Sequence, residues 1–227
     1  PRKKIAEIDK IPEIKIIISI LLSMLGDVFC CDDVDVDDWL FELIEKLKGY
    51  ILDVEKGAKG VPQVIISRAC PEFVKKLFEF EIPEIYEGVI EIKAVSRDAG
   101  SRSKVAVYSP NENIDPVGSC VGQKGVRIQN IINELNGEKI DVILYDKDPV
   151  KFITNALSPA KDIKVTIKDE NKKEALAVVG DNNLSLAIGK RGQNVKLASR
   201  LTHYKIEVKS QSAVNEENAE EVEASEK

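Results

Sequence analysis

One order of elements occurs twice between residues 69 and 209 of this 227-residue chain. Each copy contains a helix, a β-hairpin, a short apolar helix, a Gly-x-x-Gly pair, an amphipathic helix and a strand. Aligned at their first glycines, Gly122 and Gly189, the copies lie 67 residues apart. The repeat therefore predicts two small α+β domains in tandem instead of one large domain.

The apolar spacing supports this order of elements in both copies. In the first copy, "PEFVKKLFEF" has helical spacing, "GVIEIKAVS" and "SKVAVYS" form a hairpin across an Asp-Ala-Gly turn, and "KIDVILY" is a strand. In the second copy, "DPVKFITNAL", "IKVTIKD", "EALAVVG" and "YKIEVKS" take the same places. The helix after the first glycine pair ends at Gly137, and its predicted apolar face consists of Val126, Ile128, Ile131, Ile132 and Leu135.

Glycine pairs of this kind are weak evidence when taken singly. The composition predicts about 0.7 by chance, and the chain has three. The pair Gly57–Gly60 follows a strand-like run and precedes Val61-Pro62, which cannot continue a helix, so we interpret it as a hairpin loop. The pairs Gly122–Gly125 and Gly189–Gly192 each lie between a short helix and a longer one.

That context is typical of the KH module, whose GxxG loop clamps a nucleic-acid backbone. Glycines lack a Cβ and let the main chain approach a phosphate, while the following helix offers N–H groups and the positive end of its dipole. Lysine and arginine beside the glycines add charge that neutralises phosphates. The alternative for each pair is a tight turn between helices with solvated charges, and the repeated context disfavours it. The predicted RNA-binding residues are Gly122, Gln123, Lys124, Gly125, Arg127, Gly189, Lys190, Arg191, Gly192, Gln193, Asn194, Lys196 and Arg200.

The charge distribution agrees with a nucleic-acid ligand for the middle of the chain. The net charge is -6, but residues 87–209 carry 20 basic and 16 acidic side chains. Residues 210–227 carry one basic and six acidic side chains and have no apolar periodicity, which predicts a disordered acidic tail. A polyanion is therefore expected to bind the basic middle.

Other chemistries find little support. The four cysteines form no Cys-x-x-Cys pair and His203 is the only histidine, so we expect no zinc site, no disulfides and a reducing cytoplasm. The aspartates at 32–38 do not fit a calcium-binding EF-hand loop, and we interpret them as acidic surface. No catalytic triad or nucleotide-binding phosphate loop is present, and the apolar run 14–25 is too short to span a membrane. We therefore expect no catalysis, no cofactor, no metal and no membrane partner.

Four stretches resemble the NusA family of bacterial transcription elongation, termination and antitermination factors. Their opening residues are "YILDVEKGAKGVPQVIISR", "DPVGSCVGQKGVRIQNIINELNG", "DPVKFITNALSPA" and "LSLAIGKRGQNVKLASRL". The resemblance implies tandem KH domains of the prokaryotic topology after an OB-type barrel, with single-stranded RNA, RNA polymerase and other elongation-complex proteins as partners of a monomer. The alternative function is the RNA-binding module of an RNA-processing enzyme, or a ribosome-associated adaptor.

The sequence departs from the family's pattern in three places. The family's amino-terminal polymerase-binding domain is absent, residues 1–47 do not resemble the earlier barrel strands, and His203-Tyr204 replaces the usual Gly-Trp. A frameshifted segment and genuine divergence both remain open for residues 1–47, and at His203 we expect an altered loop with little effect on RNA contacts. The predicted divisions are an atypical segment at 1–47, the last barrel hairpin at 48–68, a first KH domain at 69–146, a second at 147–209 and the tail at 210–227.

Overall fold

The structure, a computed structural model, describes residues 5–7, 48–56 and 62–215. The chain divides into two units between Lys76 and Leu77, and each unit is described by itself. The predictions for the aspartates at 32–38, for the loop containing Gly57 and Gly60 and for residues 216–227 lie outside the described residues.

The first unit contains a three-stranded antiparallel sheet. Its strands are β1 (Ile5–Glu7), β2 (Lys48–Lys56) and β3 (Pro62–Ser67), in the order β1-β2-β3. Tyr50 of β2 lies opposite Ser67 of β3, so the two strands that flank Gly57–Gly60 pair as the predicted hairpin requires. Helix α1 (Pro71–Glu81) follows and crosses the boundary into the second unit.

The second unit begins with the elements of the first repeat. They are α2 (Pro83–Tyr86), β4 (Glu91–Asp98), β5 (Arg102–Tyr108), α3 (Pro116–Val121), α4 (Val126–Glu134) and β6 (Lys139–Leu144). Strand β5 pairs antiparallel with β4 and parallel with β6. A parallel pair needs a crossover between its strands. Helices α3 and α4 form that crossover, with the Gly122–Gly125 loop between them.

The second repeat has the same architecture. Its elements are α5 (Pro149–Ala156), β7 (Ile163–Asp169), β8 (Glu174–Val179), α6 (Leu184–Ile188), α7 (Gln193–Thr202) and β9 (Lys205–Ser210). The sheet order is β7-β8-β9, with an antiparallel first pair and a parallel second pair. The predicted α+β class and the predicted tandem of helix, hairpin, helix, GxxG, helix and strand are confirmed.

An Asp-Pro pair begins a helix in each repeat. The side chain of Asp115 accepts a hydrogen bond from the N–H of Val117 at 3.0 Å, and that of Asp148 accepts one from Val150 at 2.9 Å. Each aspartate is followed by a proline in the first turn of the helix, where no backbone donor is needed. The sequence thus fixes the start of α3, and with it the direction in which α3 leads to the first glycine loop.

One hydrophobic core cluster contains buried residues of both repeats, which the sequence did not predict. Helix α7 contacts β9 of its own repeat and also β4 and β5 of the first repeat. The buried residues of this core are Ala106, Ile143, Phe152, Ile153, Ala156, Leu157, Ala175, Ala177, Ala198, Leu201 and Ile206. Burial on this scale makes the two repeats a single folded unit in which the glycine loops hold fixed positions.

A buried lysine also joins the repeats. The ammonium group of Lys104 on β5 donates to the carbonyl of Ser158 in the second repeat at 2.8 Å and contacts Asp141 of β6 at 3.3 Å. Burial lowers the pKa of Lys104, although the carboxylate of Asp141 acts in the opposite direction. Lys104 therefore supports the contact between the repeats from inside the structure.

Two local expectations differ from the structure. Val126 was predicted on the apolar face of its helix, but it is 58% exposed because it is the first residue of α4 and lies beside the loop. Disorder was predicted from residue 210, but Ser210 ends β9 and residues 211–215 are helical. The hydroxyl of Ser212 donates to Asp181 at 2.6 Å, which ties this turn to the second repeat. No helix within the described ranges is both long and apolar enough to span a bilayer.

Candidate nucleic-acid interface

The two glycine loops have the same backbone conformation. Gly122 and Gly189 have φ/ψ of 76°/173° and 73°/173°, and each ends the preceding short helix. Gly125 and Gly192 have 77°/14° and 75°/15°, and each begins the following helix. Between the glycines, Lys124 and Arg191 occupy equivalent positions and also have positive φ, 51° and 54°. We call each loop with its two flanking helices a clamp: the first clamp is α3, Gly122–Gly125 and α4, and the second is α6, Gly189–Gly192 and α7.

The first glycine of each loop is required by backbone conformation and by packing. A positive φ combined with ψ near 180° is a region that essentially only glycine adopts. A Cβ on Gly122 would lie 2.8 Å from Cγ of Arg127, and one on Gly189 would lie 2.7 Å from Cβ of Asn194. The first glycine therefore makes room for a side chain that reaches back beneath the loop.

The second glycine has open space above it instead. A Cβ on Gly125 or Gly192 would have no neighbour closer than 3.9 Å. Neither α4 nor α7 has a side-chain cap at its first turn, because each of these glycines occupies the N-cap position. Uncapped N–H groups and the positive end of the helix dipole favour an anion at this point. A phosphate could approach the main chain closely there.

Arg127 and Asn194, two of the predicted RNA-binding residues, lie beneath the loops and support them. They occupy equivalent positions, five residues after the first glycine of their loops. The guanidinium of Arg127 donates to the carbonyl of Ser119 at 2.8 Å and to the carboxylate of Glu84 at 2.9 Å. The amide of Asn194 donates to the carbonyls of Leu157, Leu186 and Ala187 at 3.0–3.2 Å.

Asn194 is only 1% exposed and lies beneath its loop, which is a supporting position, and its contact with RNA stays a prediction. Arg127 is partly exposed and paired with Glu84. Burial acts to raise the pKa of Glu84, but a hydrogen bond from its own backbone N–H and the Arg127 guanidinium hold it below its ordinary value. Glu84 is thus a charged partner for Arg127 at neutral pH. The sequence analysis did not predict that Arg127 and Asn194 support the loops. The signal for this role was that the two residues occupy equivalent positions in the two repeats.

Exposed cations surround the loops. Lys124 lies within the first loop, and Lys190 and Arg191 lie within the second. Lys196 and Arg200 lie four residues apart on one face of α7, and both are exposed. Within the described part of the chain, none of these five side chains forms an ion pair within 4 Å. Their charges are therefore available to a polyanion.

Each clamp borders an open cleft. The cleft of the second clamp, about 500 Å³, is lined by Asp98, Ser101, Lys190, Arg191, Gln193, Lys196 and Arg200. The cleft of the first clamp, about 700 Å³, is lined by Asp115, Gly118, Ser119, Gly122, Gln123, Val126 and Arg127. The structure thus brings most of the predicted residues to two sites, one for each clamp.

The described residues give little support for a metal site or a reactive cysteine. Among them, no group of three or more His, Cys, Asp or Glu side chains is arranged to hold a metal ion. Burial raises the pKa of the Cys120 thiol to about 12. A thiol with so high a pKa is a poor nucleophile at neutral pH.

Two family models match the repeats. A model described as the NusA-like first KH domain matches residues 68–145, and one described as the NusA-like second KH domain matches residues 149–216. Together these matches cover more than half of the chain, and each includes one of the two glycine loops.

Three curated relatives are similar to most of this chain, and each is named "Transcription termination/antitermination protein NusA". The protein from Halalkalibacterium halodurans is 53% identical over 76% of this chain and 44% of its own length. That from Bacillus subtilis is 52% identical over 76% of this chain and 46% of its own length. That from Borreliella burgdorferi is 53% identical over 79% of this chain and 37% of its own length. The chain therefore spans less than half the length of these relatives.

Proposed function

The chain belongs to the NusA family, and from this premise we propose that its two clamps bind single-stranded RNA, with the whole protein acting in transcription termination and antitermination. The observation that carries the proposal is the repetition of one backbone conformation at both glycine loops, with open space above Gly125 and Gly192. A KH loop of this kind clamps about four nucleotides through their backbone.

The proposed contacts follow from the geometry of the clamps. The main chain at Gly125 and Gly192 approaches phosphates, and Lys124, Lys190 and Arg191 neutralise them. Lys196 and Arg200 extend the contacts along α7, and Gln123 lies in the cleft of the first clamp. Gly122 and Gly189 maintain the loop conformation, with Arg127 and Asn194 beneath them.

The role of the whole protein is proposed from the family. Its partners would be RNA polymerase and other proteins of the elongation complex, in the cytoplasm, with this chain acting as a monomer that binds RNA without catalysis. The alternative, a module of an RNA-processing enzyme or a ribosome-associated adaptor, is less supported because the relatives carry the name of a transcription termination and antitermination protein.

An RNA-binding measurement with aspartate variants tests the proposal. We expect Gly125→Asp and Gly192→Asp each to lower the affinity for a single-stranded RNA by about 10-fold at low salt, because the carboxylate occupies the place of a phosphate. The double variant should lose nearly all binding. Fluorescence anisotropy with a labelled RNA of mixed sequence measures the affinity.

Gly88→Asp is the matched control. Gly88 has φ of +79° and no atom within 4 Å of an added Cβ, so this variant adds the same charge at a similar φ, at a residue that lines neither cleft. It should retain the RNA affinity of the unmodified chain. Equal affinities for the folded double variant and this control would refute the proposed function.

A further inference from the structure

The two clamps differ sharply in charge at equivalent positions. The second clamp has Lys190, Arg191, Lys196 and Arg200. At the positions 67 residues earlier, the first clamp has Gln123, Lys124, Gln129 and Asn133. One of these four positions is therefore cationic in the first clamp, whereas all four are cationic in the second.

The four cations of the second clamp face a cleft that both repeats build. Its other wall is the β4–β5 turn of the first repeat, with Asp98 and Ser101. The amide of Gln193 donates to the hydroxyl of Ser101 at 2.7 Å and to the carboxylate of Asp98, so the turn is held against the start of α7. The guanidinium of Arg200 donates to the carbonyl of Arg97 in β4, at 3.4 Å. We call this space the inter-repeat cleft.

The inter-repeat cleft has a surplus of positive charge. Four cations and one carboxylate line it, and that carboxylate already accepts a hydrogen bond from Gln193. At low ionic strength these positive charges are poorly screened. A polyanion that binds them releases the counterions that were condensed on the polyanion. An extended sugar-phosphate backbone has that chemistry.

The cleft of the first clamp has almost no free charge. Its arginine, Arg127, is paired with Glu84, and its aspartate, Asp115, caps α3. On the exposed side of α4, Gln129 donates to Asn133 at 2.9 Å, where α7 has Lys196 and Arg200. Val126 contributes an exposed apolar side chain at the mouth of the cleft. Apart from the one phosphate proposed at Gly125 and Lys124, this surface therefore suits the uncharged parts of a nucleotide.

We propose that the inter-repeat cleft is a phosphate-binding site that supplies most of the electrostatic part of RNA binding, while the first clamp binds its RNA segment mainly through uncharged contacts. The proposal rests on the proposed RNA-binding function. If each free cation neutralises one phosphate of a single strand, the slope of log K against log salt is about -0.7 for each. The cleft then contributes about -2.8 to the slope, and Lys124 contributes about -0.7.

The salt dependence of RNA affinity tests this division. We expect the affinity of the unmodified chain to fall about 130-fold between 50 and 200 mM salt, and that of the variant with glutamine at positions 190, 191, 196 and 200 to fall about 3-fold. Lys124→Gln should change the slope by only about 0.7. Lys151→Gln with Lys164→Gln is the matched control, because both lysines are exposed and neither lines a cleft, and its slope should be unchanged.

A second variant adds cations to the first clamp, so that the test does not depend on a loss of RNA affinity. Gln129→Lys with Asn133→Arg places the missing cations on α4, and we expect the slope to become steeper by about 1.4. A four-position variant that binds RNA with the slope of the unmodified chain would overturn this proposal alone. If the unmodified chain does not bind RNA even at 50 mM salt, both this proposal and the proposed function are wrong.

Discussion

At the scale of single residues, the two glycines of each loop have different physical roles. Gly122 and Gly189 occupy a region of backbone conformation that other residues essentially never adopt, and a Cβ there would overlap the supporting side chain. Gly125 and Gly192 are left-handed, a conformation that asparagine also tolerates, and they have open space above them. The first glycine is therefore needed for the conformation of the loop, whereas we propose that the second leaves room for a bound phosphate.

We expect alanine variants to separate these roles. Gly189→Ala should lower the free energy of unfolding by about 3 kcal/mol or more, because it combines a disallowed backbone region with overlap at Asn194. Gly192→Ala should cost only about 1 to 2 kcal/mol, the strain of one left-handed residue. Urea denaturation of both variants measures the difference, and a smaller loss for Gly189→Ala than for Gly192→Ala would contradict this assignment.

His203 is one of several non-glycine residues in the left-handed region. It ends α7 with φ of 59°. The NusA family usually has glycine at this place, and glycine adopts such a φ without strain. The altered loop stays a prediction. His203 carries the strain of one left-handed residue at the end of α7.

At the scale of elements, a buried carboxylate fastens the β4–β5 hairpin to the start of β6. The side chain of Glu138 is fully buried and accepts hydrogen bonds from Arg97 at 2.9 Å, from the N–H of Gly100 at 2.8 Å and from Ser103. Burial acts to raise the pKa of Glu138, but these three donors lower it below the ordinary value of 4.5. The turn that forms one wall of the inter-repeat cleft is held by this carboxylate.

The lowered pKa of Glu138 predicts a pH dependence of stability. A carboxyl group whose pKa is lower in the folded chain stabilises it above the unfolded value of 4.5, and this stabilisation is lost as the pH falls through the folded value. Glu138→Gln should lower the free energy of unfolding by about 3 to 5 kcal/mol at pH 7, because it removes the charged carboxylate of a buried salt bridge with Arg97.

The difference in stability between Glu138→Gln and the unmodified chain should narrow below pH 4.5, where the unfolded unmodified chain is protonated at Glu138 and the folded chain becomes protonated only at a lower pH. Thermal unfolding followed by circular dichroism from pH 3 to pH 7 measures this. Glu170→Gln, at an exposed carboxylate, should match the unmodified chain at every pH. A loss that is the same at pH 3 and pH 7 would show that the charge of Glu138 is not the cause.

The elements within each repeat could be predicted from the sequence, since each depends on local spacing and caps. Asp-Pro starts, alternating strands and glycine pairs are all visible along the chain. The supporting roles of Arg127 and Asn194 could not be predicted, because a basic or polar residue beside a glycine loop can either contact a ligand or hold the loop through hydrogen bonds. Only the carbonyls and Glu84 around them decide the matter.

At the scale of the whole second unit, the repeats form one body through a shared core. The face of β5 that carries Lys104 and Ala106 contains a charge and a small side chain, so its periodicity gives no sign that α7 covers it. For this reason the sequence predicts two linked domains and not a fused pair. Fusion fixes the distance between the glycine loops, which matters for a ligand that contacts both.

The affinity of the unmodified chain for single-stranded RNAs of increasing length tests the central claim most directly. Because one loop clamps about four nucleotides, RNAs of that length fill one clamp, and we expect a rise of about 100-fold or more once an RNA reaches both. Gly192→Asp and Gly125→Asp should each make the rise about 10-fold smaller, whereas Gly88→Asp should keep it. An affinity that grows only gradually with length, equally in all four proteins, would contradict the claim that two clamps hold one RNA.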